Sequence, residues 1–245
     1  MKLHVTVTPD ERRPYPLHSH EEVEIMCYLK GEGELRTDAG GIPFAPGTLM
    51  LIPPGVRHGS CPRESFRNIC LYCPSLPGVE EEILTGQDNA TGDGRAMAQM
   101  LLRLLLAKHP ADDALIWHLF EAYRAYVLRR IAVKDHKTLE VERVLARITE
   151  EFTDPAFDLA ALVAQTGVSP DHFRVCFKAQ NGGLTPLQVL TRLRLDCADD
   201  LMRRYGAQMS IGEVAARCGF ADALYFSRVY KKNRGVSPAN RSEKQ

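Results

Sequence analysis

Three histidines and one glutamate near the N-terminus have the side chains of a metal site or of a polar ligand pocket. His18, His20 and Glu24 share strand parity, so in an extended segment they project from one face. His58 follows a turn at residues 53–55 and could complete the group from a neighbouring strand. Three imidazoles and one carboxylate suit zinc, iron, manganese, nickel or copper. They equally suit hydrogen bonds to an organic effector, or packing inside the fold without any ligand.

A second set of candidate residues lies on two helical segments near the C-terminus, pointing away from an apolar stripe. The set comprises Asp171, Arg174, Val175 and Lys178 in the first segment, and Leu224, Ser227, Arg228 and Lys231 in the second. Arg174 and Arg228 are suited to bidentate hydrogen bonds with guanine edges. Cations late in or after the helices are expected to neutralise phosphates. These cations are Lys178, Lys231, Lys232 and Arg234.

An internal repeat positions both segments. Residues 159–167 and 211–219 each encode a short amphipathic helix that stops at a glycine, and each is followed by a second amphipathic helix. The predicted N-caps are Ser169, Ser210 in a capping box with Glu213, and Asp222. Two helices joined by a glycine turn form the helix-turn-helix layout. One such pattern also occurs in ordinary bundles, but two copies joined by one helix favour DNA binding.

The remaining sequence divides into three segments that differ in residue pattern. Residues 1–76 contain short apolar runs separated by Gly and Pro, which is typical of a β barrel or sandwich. Residues 77–94 lack periodicity and predict a flexible connection. Two amphipathic helices within 95–131 either pack inside the chain or form a dimer seam. We therefore predict an α+β chain with a β domain, either a barrel or a sandwich, over 1–76, a flexible connection with linker or dimerisation helices over 77–138, and an all-α domain over 139–245.

Composition excludes several classes of protein. The 245 residues are 44% hydrophobic and 25% charged, which is ordinary globular usage and excludes wholesale disorder. Lys and Arg balance Asp and Glu at 31 each, but residues 217–244 are basic, which hints at nucleic acid. No apolar run reaches the roughly 18 residues that span a bilayer, and the N-terminus lacks a signal-peptide pattern. Seven scattered cysteines predict a cytoplasmic protein, with Cys70 and Cys73 on opposite faces of a strand.

Three segments of the C-terminal domain carry a family resemblance, namely Ile211–Phe220, Tyr225–Lys232 and Gly235–Pro238. With these segments, residues 139–245 resemble the DNA-binding domain of the AraC/XylS family of bacterial transcription regulators. The resemblance implies a seven-helix unit that places two recognition helices in successive major-groove segments. The sequence departs from the family pattern at Val175, where Arg is frequent, and at Leu224, where a small polar residue is usual.

The histidine region, over about residues 14–76, resembles a cupin. The matched positions are His18, His20, Glu24 and Gly31 in one motif, and Gly47, Pro53, Gly55 and His58 in the other. The resemblance implies a small cupin-like β barrel with a central pocket. Cupins hold a divalent transition metal at such positions, whereas AraC-like sensor domains often use the same positions for an organic effector.

Together these features predict a transcription regulator rather than an enzyme, whose cupin-like domain senses a small ligand and controls promoter binding. The sequence leaves activation and repression both open, and the family resemblance favours an activator. The expected partners are double-stranded promoter DNA, a small-molecule effector, a second copy of the chain and RNA polymerase, with no membrane. The alternative is a metal-dependent cupin enzyme with a helical appendage, although an enzyme has no need of a duplicated helix-turn-helix. A third possibility is an interaction protein that uses the helices within 95–131.

Overall fold

A computed structural model of the chain describes residues 3–76, 79, 81–107, 109, 112–132 and 136–242. The chain divides into two compact units, Met1–Lys134 and Asp135–Gln245. Each unit is organised around two hydrophobic clusters of its own. Among the described residues, no helix is both long enough and apolar enough to cross a membrane.

The N-terminal unit contains two antiparallel sheets. Its strands are β1 His4–Val7, β2 Val23–Lys30, β3 Gly33–Thr37, β4 Gly40–Phe44, β5 Thr48–Ile52, β6 His58–Pro62, β7 Arg67–Cys73 and β8 Leu84–Gln87. One sheet has the order β1-β7-β2-β5-β8 and the other the order β4-β3-β6. This architecture confirms the predicted β domain. The prediction of a flexible connection over 77–94 is wrong at Leu84–Gln87, because these residues pair with β5.

Strand β2 is buried on both faces, and its alternation separates two cores. Val23, Ile25 and Cys27 belong to the cluster shared with helices α1 Asp93–Ala107 and α2 Asp113–Ala132. Met26 and Tyr28 point to the other face, into the cluster between the two sheets. The same alternation on β7 places Cys70 in the intersheet cluster and Cys73 in the helix-side cluster, which confirms their predicted opposite faces.

Helices α1 and α2 lie in the same compact unit as the sheets. Phe120 and Tyr123 of α2 and Leu101 of α1 are buried in the helix-side cluster, against the five-stranded sheet. This packing within the unit accounts for the apolar stripe of each helix. The predicted function of residues 77–138 as a linker and dimerisation segment stays a prediction.

The C-terminal unit contains seven α-helices within residues 136–242, as the family resemblance implies, and a 3₁₀ helix at Gly206–Gln208. They are α3 His136–Glu151, α4 Leu159–Ala164, α5 Pro170–Gln180, α6 Pro186–Tyr205, α7 Ile211–Arg217, α8 Ala223–Arg234 and α9 Pro238–Ser242. Helix α6 is shared between two cores. Its first half packs with α3, α4 and α5 around Phe173 and Phe177, and its second half packs with α7 and α8 around Phe226 and Tyr230. Each helix-turn-helix therefore has its own core.

Local signals set the boundaries of these helices. The Ser210–Glu213 capping box and the Asp222 cap are present as predicted. Ser169 occupies the N-cap position of α5, but its hydroxyl makes no capping hydrogen bond. The turns require Gly167 and Gly219, whose φ angles of 68° and 81° are left-handed.

Candidate functional site

The histidine cluster joins the segment before β2 to the start of β6. His18 and His58 form an isolated antiparallel bridge, with two backbone hydrogen bonds of 2.9 Å. Neither His18 nor His20 lies on β2, so they do not share a strand with Glu24. The bridge brings His18 to the cluster, and the expected grouping of His18, His20, Glu24 and His58 is present.

The imidazoles converge on one carboxylate oxygen. His20 Nε2 and His58 Nε2 each lie 3.0 Å from Glu24 Oε2, in a region where Glu24 and His58 are fully buried. His58 Nε2 is close to this oxygen without the orientation of a hydrogen bond, so it is a buried nitrogen lacking a hydrogen-bond partner. The ligand atoms offered by His18, His20 and His58 lie within 4.8 Å of one another.

Backbone carbonyls orient all three rings. His18 Nδ1 lies 3.1 Å from the Pro16 carbonyl, His20 Nδ1 lies 2.8 Å from the Glu22 carbonyl, and His58 Nδ1 lies 2.9 Å from the Val56 carbonyl. A carbonyl only accepts, so Nδ1 of each ring carries a proton. Nε2 is therefore the nitrogen that each ring offers to a ligand, which is the usual arrangement for a metal-binding histidine. At His20 this nitrogen donates a hydrogen bond to the Glu24 carboxylate, and a metal ion would take the place of that proton.

Electrostatics keep the cluster's carboxylate ionised. Burial alone would raise the pKa of Glu24, but the interactions with His20 and His58 hold it well below its ordinary value. The hydrogen bond to Glu24 raises the pKa of His20. Burial raises the pKa of the adjacent Cys70 thiol well above its usual range, so this thiol stays protonated.

The barrel interior beyond the cluster is filled by side chains. Tyr28 and Phe44 stack with ring centroids 4.0 Å apart, and Phe66 packs 5.6 Å from Phe44. A separate open cavity of about 550 Å³ lies at the rim, where Arg57 and Asp38 form an ion pair. The N-terminal unit thus offers a polar cluster that is buried at Glu24 and His58 and exposed at His18, and a separate surface pocket.

On α5 and α8 the predicted DNA-facing residues lie on the exposed side of each helix. Arg174 is ion-paired to Asp171 at 2.9 Å, whereas Arg228 makes no ion pair with any other described residue. Ser227 donates its hydroxyl hydrogen bond back to the Ala223 carbonyl. The other exposed members are Val175, Lys178, Leu224, Lys231 and Lys232. These faces form a mixed polar and apolar surface on each helix.

Arg234 differs from the other cations, because its side chain is only 22% exposed. Its guanidinium pairs with Asp196 and Asp199 on α6, and Tyr230 donates its hydroxyl to Asp199. These contacts anchor the end of α8 to the joining helix. The charge predicted to meet phosphate is therefore already balanced by carboxylates.

Sequence reasoning missed the part played by Arg194. It donates from Nε to the Phe152 carbonyl at 2.7 Å and from Nη2 to the Asp154 carbonyl at 2.9 Å. Its guanidinium also lies 5.6 Å from the centre of the Phe220 ring. This link between the two helix-turn-helix halves depends on backbone carbonyls, which the sequence does not reveal, so it had to be seen in the structure.

Comparison with known proteins identifies the family. The AraC-like ligand binding domain matches residues 8–132, and a helix-turn-helix domain matches residues 162–243. The chain belongs to the AraC family of transcription regulators. It is a DNA-binding regulator with a ligand-binding domain, which implies promoter DNA and a small-molecule effector as its partners.

Curated relatives of this AraC-family chain match it over most of their length. It is 26% identical to the probable transcriptional regulator LumQ of Photobacterium leiognathi, over 94% of this chain and 92% of LumQ. It is 28% identical to the transcriptional activator RhaR of Cronobacter sakazakii, over 90% and 84%. A solved C-terminal domain of AraT from Geobacillus stearothermophilus is 28% identical, over 43% of this chain and 85% of that chain, with a TM-score of 0.38.

Proposed function

We propose that this AraC-family regulator reads promoter DNA with α5 and α8, and that the histidine cluster receives its signal. The observation that carries the DNA-binding part is the pair of exposed helix faces, each supported by a separate core and joined by α6. Helix-turn-helix proteins contact base edges with such a second helix. The exposed faces of α5 and α8 contact the bases, and the lysines in the last turns of these helices, Lys178 and Lys231, contact phosphates.

Selection of bound fragments from random DNA, using the full chain, tests this proposal. We expect one enriched sequence, because two recognition helices together contact many base pairs. Lys231→Ala should weaken binding uniformly and lower the slope of log affinity against log salt by about one unit. Failure to enrich any sequence, with and without added metal, would refute promoter reading by these helices.

We also propose that the cluster of His18, His20, Glu24 and His58 binds a divalent transition metal. The support is the buried Nε2 of His58, which has no hydrogen-bond partner although it lies 3.0 Å from Glu24 Oε2, and the carbonyl contacts that point every Nε2 away from its backbone. Three imidazoles and one carboxylate suit such an ion. A bound ion would be held by these four side chains and would connect the segment before β2 to β6.

Titration with Co²⁺, followed by its visible absorption, tests the metal proposal. His18→Ala is the first variant, because this side chain is exposed and its loss spares the core. We expect affinity to fall at least about tenfold, since even residues behind the ligands cost that much. His118→Ala, an exposed histidine on α2, is the control and should bind like the wild type. Absence of a saturable signal in the wild type would favour an organic effector.

The proposed assembly is a homodimer that acts on RNA polymerase in the cytoplasm, where promoter DNA lies. Exposed large hydrophobic residues on α1 and α2 support the dimer, namely Met100, Leu106, Leu115 and Trp117. Linked binding units raise affinity for a double operator. The relative RhaR is named an activator, which favours contact with the polymerase. A monomer in sedimentation at about 50 µM would contradict the dimer, because ordinary protein pairs associate below that concentration.

A further inference from the structure

The most exposed large hydrophobic side chains of the described chain lie one on each recognition helix. Leu224 on α8 is 75% exposed and Val175 on α5 is 65% exposed. Phe173, Phe177, Phe226 and Tyr230 on the opposite faces are all buried. Val175 and Leu224 therefore do not belong to the edge of either hydrophobic core. Val175 lies among polar and charged groups, and Leu224 lies beside Tyr225, which is 55% exposed.

Helix spacing places each of these side chains beside the residues suited to reading bases. Val175 lies one turn after Asp171 and next to Arg174, and Leu224 lies one turn before Arg228. Both positions precede the late lysines, Lys178 and Lys231, which are suited to phosphates. A helix that docks with its first two turns in the major groove puts both side chains against base edges.

The major groove contains one apolar group, the C5-methyl of thymine, alongside hydrogen-bond donors and acceptors. A branched aliphatic side chain can satisfy no donor or acceptor, but it gains from removing a methyl group from water. We infer that Val175 and Leu224 are specificity-determining residues that each contact a thymine methyl. This inference rests on the proposed DNA reading, and it predicts a required thymine in each of the two segments of the operator.

The two helices then read different patterns. On α5 the guanidinium of Arg174 already has a carboxylate partner in Asp171, so Val175 supplies the distinctive contact. On α8 the apolar residue comes first and the unpaired Arg228 follows one turn later. A thymine and a guanine read by neighbouring turns of α8 should lie close together in the operator.

Replacing thymine by deoxyuridine in the selected DNA removes the methyl and keeps every hydrogen-bonding edge. Each lost contact should weaken wild-type binding about fourfold, the change that corresponds to about 0.8 kcal/mol for one buried methyl. Replacement at both sites should therefore weaken it about fifteenfold. The double variant Val175→Ala, Leu224→Ala should bind thymine DNA more weakly than the wild type does. Because this variant already lacks the methyl contacts, replacing both thymines by deoxyuridine should weaken its binding by at most about threefold.

Leu187→Ala is the matched control, because Leu187 is 62% exposed on α6, outside the recognition helices. It should keep the full sensitivity to deoxyuridine. Equal losses for the wild type and the double variant would overturn the inference while leaving sequence-specific binding intact. A double variant that binds DNA normally but fails to activate transcription would also overturn it and indicate a protein contact. Failure of the selection itself would instead refute the proposed function.

Discussion

Arg194 should hold the two helix-turn-helix halves together without contacting DNA. Its guanidinium donates to two carbonyls in the loop that follows α3, in the first half, and lies over Phe220, in the turn of the second half. It sits on α6 where the packing changes from one core to the other, between Leu193 and Leu195. Desolvation lowers its pKa, which is expected when a cation is taken partly out of water.

Arg194→Ala removes two charge-assisted hydrogen bonds and one cation–π contact. Hydrogen bonds to charged groups contribute about 1.5–3 kcal/mol each, and because this side chain is only half-buried we take the low end. The contact over the ring adds about 0.5 kcal/mol. We therefore expect the C-terminal unit to lose about 3.5 kcal/mol of unfolding free energy. Arg194→Lys keeps the charge but loses the fork geometry, so it should recover about half.

Urea denaturation of the full chain measures this loss. Far-UV circular dichroism follows the helices, and fluorescence of the sole tryptophan, Trp117 on α2, follows the N-terminal unit. Arg192→Ala is the control, because Arg192 carries the same charge and lies only two residues from Arg194. Its only ion pair among the described residues is an exposed one with Asp196 at 3.7 Å. That variant should lose less than about 0.5 kcal/mol. Equal losses in the two variants, or a loss confined to the Trp117 signal, would refute the reasoning.

Two further substitutions test the turns and the recognition helices. Gly219→Ala should lower the unfolding free energy by at least about 3 kcal/mol, because the left-handed φ at this position is strained for alanine and the new Cβ would clash with the Phe152 carbonyl. Gly167→Ala has open space around it and should cost only about 1 kcal/mol in the same denaturation assay. Arg228→Ala should weaken specific DNA binding by about 1–3 kcal/mol and relax one base position. Arg174→Ala should lose less than about 1 kcal/mol in the same titration, because its carboxylate partner already competes for it.

The helix-turn-helix repeat was predictable because its signals are local in the chain. Capping residues, glycine turns and an apolar stripe each act within one or two helical turns, so they are visible in the sequence. The failed side-chain cap at Ser169 shows the limit of such signals, since Pro170 starts α5 without it. Strand β8 was missed for the opposite reason. Its four residues are strand only because β5 lies beside them, and its own sequence contains no alternating apolar pattern.

Contacts between distant residues could not be predicted. Arg194 meets carbonyl groups about forty residues earlier in the chain, and a carbonyl gives no sequence signal because every residue has one. The same holds for Arg234, which looked like a phosphate contact by its place at the end of α8. Its pairing with Asp196 and Asp199 depends on how α8 crosses α6, which residue spacing within one helix does not determine.

The histidine cluster was predicted in part from local sequence signals, and in part it depends on contacts that the sequence does not show. The four residues were found from their types and spacing, although the assumed common strand does not exist and the His18–His58 bridge does the grouping instead. The carbonyls that fix the rings belong to residues two positions away from each histidine, so they depend on local backbone dihedrals that residue types do not reveal. These contacts decide the chemistry, because they leave Nε2 rather than Nδ1 of every ring facing the cluster. In the proposed metal site an ion would replace the proton that His20 shares with Glu24, and it would bind three imidazole nitrogens and one carboxylate oxygen.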